Sequence, residues 1–469
     1  FKQKTAYEIR LSLVGSEMCI RDSSRASFFD GSKFSKDALV TGDPTDWVAD
    51  DIGPQQRNAK SIQDFIGGFP ISDAAKQQLI RLYTDRSLTL AAEYPTVEAR
   101  EDYLSKISYG DFLRKHWALS DEALSYFHNR TLDFFGLSPD NIAALDAHHY
   151  AYPGMQGMSL PVNEEAAGEL EEPYIYHFPD GNASIARLLV RSLIPHASKG
   201  NTMEDIVLAP FDYKQLDLAT NTVRIRLNSS VVHVKNDAGH VLIGYVDESK
   251  QLTVVQATHC TLACFNMVIP YIFPELPAPQ AESLRQNVKV PIVYTNVAVR
   301  NWQPWVKLGV HDIYGVNSFH SRVKLDYPVS IGGYQHAADP SQPTLIHMVH
   351  IPVVDGIKDA ATALRMARKT FFQKKFEAYE EAIRHDLTHM LGPAGFDAAR
   401  DIVGITVNRW SHGYSWAPNS LSHDSAKTAE FIAAGRKPVG HVTIACADAA
   451  WSPYAHSAID EAFRAVQEL

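Results

Sequence analysis

The chain has 469 residues, 45% hydrophobic and 21% charged, the composition of an ordinary globular protein of two or three domains. A formal net charge of −10 argues against nonspecific nucleic-acid binding, which depends on Lys and Arg neutralising phosphates, and is compatible with a cationic substrate. Four cysteines (Cys19, Cys260, Cys264 and Cys446) are too few for a disulfide scaffold, no soft ligands are grouped as a metal site requires, and no apolar stretch is long enough to span a bilayer.

Residues 1–23 show no period, cap or turn logic that joins them to the rest of the chain. They read like a translated sequencing-adapter fragment and are set aside from the fold argument, as an expression scar would be. Over residues 58–150, apolar positions such as Ile62, Phe65, Leu79, Leu82 and Tyr83 recur at spacings of three and four, which predicts helices. Residues 150–173 carry Pro153, Gly154, Gly157 and Pro161 and read as loop. A helix comes next, with Ile185, Leu188 and Leu189 on one face and Asp180 or Asn182 as its cap.

Alternation at Val223, Ile225 and Leu227 predicts a half-buried strand. Val231–Val234 continues extended, Asn236–Gly239 is a turn, and Val241–Val246, Leu252–Val255 and Cys260–Cys264 complete a β-rich meander. Residues 288–355 alternate strands and turns, with a bend at Gly332-Gly333. Residues 359–390 form one long helix, stopped by Gly392-Pro393. Strand His441–Ala445 precedes a terminal amphipathic helix whose apolar face carries Ala455, Ala458, Ile459, Ala462, Phe463 and Val466. The mixture predicts an α/β (α+β mixed) protein of two interleaved domains, one α/β and one a sheet with helices.

Motifs alone assign no chemistry. The fingerprint G-x-G-x-x-G is absent, as are a P-loop, H-E-x-x-H and G-x-S-x-G. Four runs go further: Phe178–Arg191, Lys289–Asn296, Leu325–Tyr334 and Asn408–Tyr414. In these, and in order from about Ser24 to Leu469, the chain resembles spermidine dehydrogenase-like flavoproteins of the amine-oxidase superfamily. The resemblance implies an FAD-binding dinucleotide domain interleaved with a substrate domain of sheet plus helices. It also implies that the glycine fingerprint lies N-terminal to this chain, so that the cofactor domain is incomplete here. The implied order is a largely helical substrate segment over 24–173, cofactor segments at 174–270 and 401–469, and a substrate segment at 271–400.

The same resemblance assigns residues. Val231 would approach the flavin adenine, Ala263, Cys264 and Asn266 the isoalloxazine, and Asp448 and Ala449 the ribityl and pyrophosphate. Ala455 and His456 would open the last helix, whose free amides attract phosphate. Where the wider superfamily often has glycine, this chain has Cys446, Ala447 and Tyr454. Trp410, His412, Tyr414 and Trp416 would face the reacting ring, or else form an aromatic packing corner. Tyr150 and Tyr152 are candidate pocket residues, Asp146 a candidate for a distal ammonium or a surface position, and His148 and His149 equally structural. The implied activity is hydride transfer from the α-carbon of a polyamine, with spermidine the default, to FAD and on to an unknown electron acceptor. Some proteins of this kind also carry haem, but no axial ligand stands out among the 20 histidines. The resemblance also suggests export to a periplasm. Two alternatives stay open: a flavoprotein that oxidises another substrate, and a remnant that binds no cofactor because its main phosphate cradle is missing.

Overall fold

The structure is a computed structural model that describes residues 23–45, 58–160, 177–326, 329–415, 419–422 and 425–469. In chain order the strands and the helices of nine residues or more begin with β1 (Ser24–Phe29), β2 (Ala38–Thr41), α1 (Asp73–Thr84), α2 (Val97–Ser105), α3 (Tyr109–Trp117) and α4 (Ala183–Leu193). Then come β3 (Ser230–Asp237), β4 (His240–Val246), β5 (Leu252–Ala257), β6 (Cys260–Leu262), α5 (Ala278–Gln286), β7 (Ile292–Val299), β8 (Val310–Val316), β9 (Arg322–Leu325) and β10 (Thr344–His350). The last are α6 (Ala360–Gln373), α7 (Phe376–Leu391), β11 (Ile402–Trp410), α8 (Ser425–Gly435), β12 (Val442–Ile444) and α9 (Ala455–Gln467).

A seven-stranded sheet runs in the order β11-β7-β10-β9-β8-β1-β2. Its register explains its two faces. Val407, Thr295, Met348, Val323, Ile313 and Ala26 form one row across six strands, and this mostly apolar face packs against α7 through Tyr379, Ile383, Leu387 and Met390. The row one residue along is Thr406, Asn296, His347, Lys324, Asp312 and Arg25. Side chains alternate along a strand, so every polar member points to the opposite face. Arg25, Asp312 and Lys324 in that row are buried and Thr406 is exposed, so the polar row runs from the interior to the β11 edge.

The helices of residues 62–149 form a second core with Tyr314 and Val316 of the sheet, built on Phe65, Leu79, Leu82, Phe112, Leu113 and Phe127. They start on well-formed caps, since Ser72, Thr96 and Ser108 accept from the first-turn amides of α1, α2 and α3. A third, smaller core joins β3 and β4 to a two-stranded parallel pair, β6 and β12, and to Leu284 of α5.

Most predicted elements occur, with three corrections. Residues 223–227 form no strand: Arg224 and Arg226 both clasp Asp217, and the Ile225 amide donates to the Leu216 carbonyl, so the segment is tied locally instead of in a ladder. The single helix over 359–390 is two, because Lys374 and Lys375 are extended. That break re-aims α7 so that its apolar stripe meets the sheet, while Lys374 lies over the Phe319 ring. The apolar faces of α4 and α9 are not core faces. Leu189 is 60% exposed and Phe463 67%, whereas Arg191 and Glu461 are buried. Arg191 is held by the Lys199 and Thr202 carbonyls, and Glu461 by Arg436 and Arg464. Among the described residues no helix is long and apolar enough to cross a membrane.

Candidate functional site

β6 and β12 run parallel, in register from Val442↔Cys260 to Ile444↔Leu262. The carboxyl ends of parallel strands are where open α/β sheets offer unsatisfied backbone to ligands. Here those ends lead to Asn266 and Asp448, both buried. Asp448 accepts from the Asn266 amide at 3.2 Å, and the Asn266 side chain donates to the Asp448 carbonyl at 2.8 Å. The second Asp448 oxygen receives the Lys289 ammonium at 2.5 Å, in a pair whose side chains are 5% and 1% exposed. The chain reaches this point through Cys446, whose φ of 95° is a glycine-type conformation.

Lys289 stands just before β7, and this stretch pairs with the one after β11. The Gly413 amide donates to the Val290 carbonyl at 2.9 Å, and the Val290 amide to the Tyr414 carbonyl at 3.0 Å. A Cβ on Gly413 would lie 2.8 Å from that carbonyl and from Ile292, so only glycine allows the approach. The pairing brings His412 beside the ion pair and Trp410 and Tyr414 against Tyr294. His412 stacks on Phe265 with centroids 5.3 Å apart, and the Lys289 ammonium lies 4.8 Å from the same Phe265 ring. The Tyr414 and Tyr294 hydroxyls bond to each other. Trp410 meets the Tyr294 ring edge-on at 5.5 Å, and His347 of the polar row meets the same ring at 5.0 Å. Arg368 of α6 binds the Ser411 and Lys289 carbonyls and locks the two strands together.

The electrostatics have their cause in burial. Desolvation, and then the charges of Arg368 and Lys289, push the His412 imidazole down to about 4, so it is neutral at pH 7. Desolvation raises the Tyr294 and Tyr414 phenols above their ordinary range, which keeps both protonated. The polar row behind them is anchored by Arg322, which bonds Asp312 on one side and Asp133 on the other. The Asp133 carboxylate is 28% exposed and acts electrostatically on both Tyr294 and Tyr414. The arrangement is an aromatic and hydroxyl-lined floor, with a buried ion pair at one end and a partly exposed carboxylate at the other.

No family model and no curated protein matches this sequence. Solved structures do. A variant from a redesign of cofactor binding in putrescine oxidase superposes with a TM-score of 0.54 at 14% identity, covering 99% of this chain and 85% of that one. This is the fold of putrescine oxidase. The wild-type enzyme bound to putrescine gives a TM-score of 0.50 at 16% identity, with 99% and 84% covered. Cyclohexylamine oxidase from Brevibacterium oxydans IH-35A gives 0.48 at 14% identity, with 98% and 83% covered.

Within this fold the sequence-derived residues fall into groups. His412, Tyr414, Trp410, Asn266 and Asp448 converge on the ion pair and its aromatic floor. Ala449 is buried behind Asp448, while Ala263 and Cys264 continue from β6 toward Asn266, Ala263 exposed and Cys264 partly buried. Burial raises the Cys264 thiol to about 11, so it behaves as an apolar filler. Ala455 and His456 open α9 and are exposed, with the His456 ring stacked on Tyr454. Val231 lies on β3 opposite Tyr245 and is 41% exposed. Tyr152 packs on Tyr109 and Phe135, and Tyr150 on Phe134 and Phe135, beside the helical core that also receives Tyr294 and Tyr414. Trp416 lies outside the described residues. Burial raises the Asp146 carboxyl to about 7 against the bonds from Ala143 and Ser420. Sequence reasoning missed Lys289, Phe265, Tyr294 and Asp133. Lys289 and Tyr294 sit inside one of the four resemblance runs, and the available signal was a lysine and a tyrosine in an otherwise apolar strand.

Proposed function

We propose that the chain belongs to an FAD-dependent amine oxidoreductase whose substrate is a polyamine, with spermidine the first to test. One observation carries the reading: a buried Lys289–Asp448 pair at the ends of two parallel strands, covered by the Phe265–His412 stack and continuous with the Tyr294–Tyr414 floor. The residues present fit the ring end of a flavin. Asn266 Oδ1 is buried with no hydrogen-bond partner among the described residues, and the amides that open α9 lack a side-chain cap. Asn266, Asp448, Ala449, Ala263, Ala455 and His456 would hold the cofactor.

FAD, when bound, supplies the hydride acceptor. The protein side does the positioning. Trp410, Tyr294 and Tyr414 wall the reacting carbon, and a neutral His412 adds no charge beside an amine that must itself be uncharged. Asp133 receives a distal ammonium, which favours di- and polyamines over monoamines. The polar row gives a second reason to prefer an amine over an apolar substrate, because an apolar tunnel would leave Asn296, His347 and Lys324 facing hydrocarbon.

Leu189 and Leu193 on α4, Ile459, Phe463 and Val466 on α9, and Val231 and Val232 on β3 are exposed apolar side chains on elements of the cofactor segments, which also contain the isolated β6–β12 pair. Parallel strands are stable when covered and extended on both sides. These faces support a phosphate-binding βαβ segment that completes the cofactor domain in the whole protein. β11, in the 401–469 segment, pairs with β7 of the 271–400 segment.

The test is to mix the purified chain with FAD, remove free cofactor by gel filtration, and add amines without oxygen. Retained flavin bleached by spermidine or putrescine supports the reading. Retained flavin that no amine bleaches rejects the substrate class.

A further inference from the structure

A second cluster of chemistry-bearing side chains lies on the other face of the seven-stranded sheet, where α7 crosses the β1–β2 edge. His385 and His389 are one turn apart on α7, a spacing that puts both imidazoles on one face. Their rings are 4.2 Å apart. Each meets a carboxylate from the β1–β2 connection: His385 Nε2 is 3.0 Å from Asp30, and His389 bonds Asp37. Asp386, next to His385, is buried, and Asp30, His385 and Asp386 each offer one ligand atom within 4.8 Å of the others. We propose that this cluster binds one divalent transition ion of the zinc class, through Asp30, His385 and Asp386 with His389 and Asp37 as the adjoining donors, and that the ion fastens the sheet edge to α7.

Three features support the assignment. The donors are imidazole nitrogens and carboxylate oxygens with no thiolate, the set that suits Zn²⁺ and Co²⁺. The carboxylates are already oriented. The Ser32 amide donates to Asp30, the Gly31 amide to Asp37, and the fully buried His320 holds Asp386 at 2.7 Å through Nδ1 and at 3.3 Å through its amide. Such outer contacts typify a carboxylate kept in position to ligate. The cluster is also reachable, since the His385 side chain is 41% exposed and that of His389 37%. The Asp30 and Asp386 carboxylates bring one oxygen each within 4.8 Å of the other, and a divalent cation between them removes their repulsion. The alternative, two plain His–Asp ion pairs, would gain little where both histidines are this exposed.

The experiment uses the whole chain, stripped with EDTA and dialysed. Co²⁺ is titrated as the optical probe and Zn²⁺ bound at equilibrium is counted by mass spectrometry. The expected result is about one equivalent of ion with a visible Co²⁺ band that Zn²⁺ abolishes. His385→Gln and Asp30→Asn should each weaken binding at least about tenfold, and His320→Gln about tenfold through loss of orientation alone. Unchanged binding in His385→Gln would locate the ion elsewhere and overturn the proposal. If that variant fails to fold by circular dichroism, the wild-type chain decides: absence of both a Co²⁺ band and a Zn²⁺-dependent rise in unfolding temperature overturns it.

Discussion

Lys289 and Asp448, 159 positions apart in the chain, meet at 2.5 Å in the interior. The pair ties the stretch just before β7 of the large sheet to the loop that follows β12 of the small parallel pair. It therefore joins the large sheet to the core around β6 and β12.

A buried pair is costly to break from one side, because the surviving charge is left without compensation. Asp448→Asn should destabilise the chain by about 3–5 kcal/mol in urea unfolding. Lys289→Met should cost about the same, and the double variant less than the sum, because the two changes remove one shared interaction. Strictly additive losses would show that the two residues act independently.

Cys446 bears a backbone penalty at a φ of 95° with ψ at 158°, a region that glycine alone occupies freely. Cys446→Gly should raise stability by about 1 kcal/mol, the strain relieved minus the added chain entropy of glycine. A drop in the unfolding midpoint would mean that the thiol packing outweighs the strain.

Gly413→Ala sets a methyl 2.8 Å from the Val290 carbonyl and the Ile292 side chain, in the pairing that positions His412 and Tyr414. Overpacking of this kind costs about 1–3 kcal/mol. On the proposed function, amine-dependent flavin reduction should slow by more than the stability loss explains. Wild-type reduction in a folded Gly413→Ala chain would separate this loop from the chemistry.

Asp133→Asn should weaken the productive binding of spermidine by about 10–100-fold, the worth of a charge-assisted bond, and leave a monoamine nearly unaffected. Equal losses for both amines would place Asp133 in a purely structural role with Arg322.

Burial depresses the proton affinity of several histidines, most strongly at His311 and His412, to about 4, and at His347 and His350, to about 3. Between those values and the ordinary 6.5, the unfolded chain binds protons that the folded chain refuses. Stability contributed by the neutral imidazoles is full above pH 6.5 and is lost as the pH falls toward 4 and 3. Asp146, raised to about 7, works in the opposite direction over its own range. His347→Gln should lower the slope of stability against pH in the acid window by about one proton. An unchanged slope would show that His347 is protonated in the folded chain.

Local pattern determined much of this protein. Short apolar runs around the Asn236–Gly239 turn located the β3–β5 meander, and that turn closes on Ala238 and Gly239 with φ of 47° and 89°, whereas the alternation at Val223, Ile225 and Leu227 marked no strand. Spacings of three and four located α1 and α9, and the family resemblance gathered Asn266, His412, Tyr414 and Asp448 before any of them had a position in space. These features were legible because they depend on neighbours within a few residues. Which face of α9 or α4 is covered was not legible, since an apolar stripe says that a helix can be buried and not what lies against it. The partners of Lys289, the carboxylate of Asp133 and the clasp of His385 and His389 on Asp30 and Asp37 were likewise decided only by tertiary structure. Sheet register and helix packing bring together charges that lie far apart in the chain, and their worth comes from the water excluded around them.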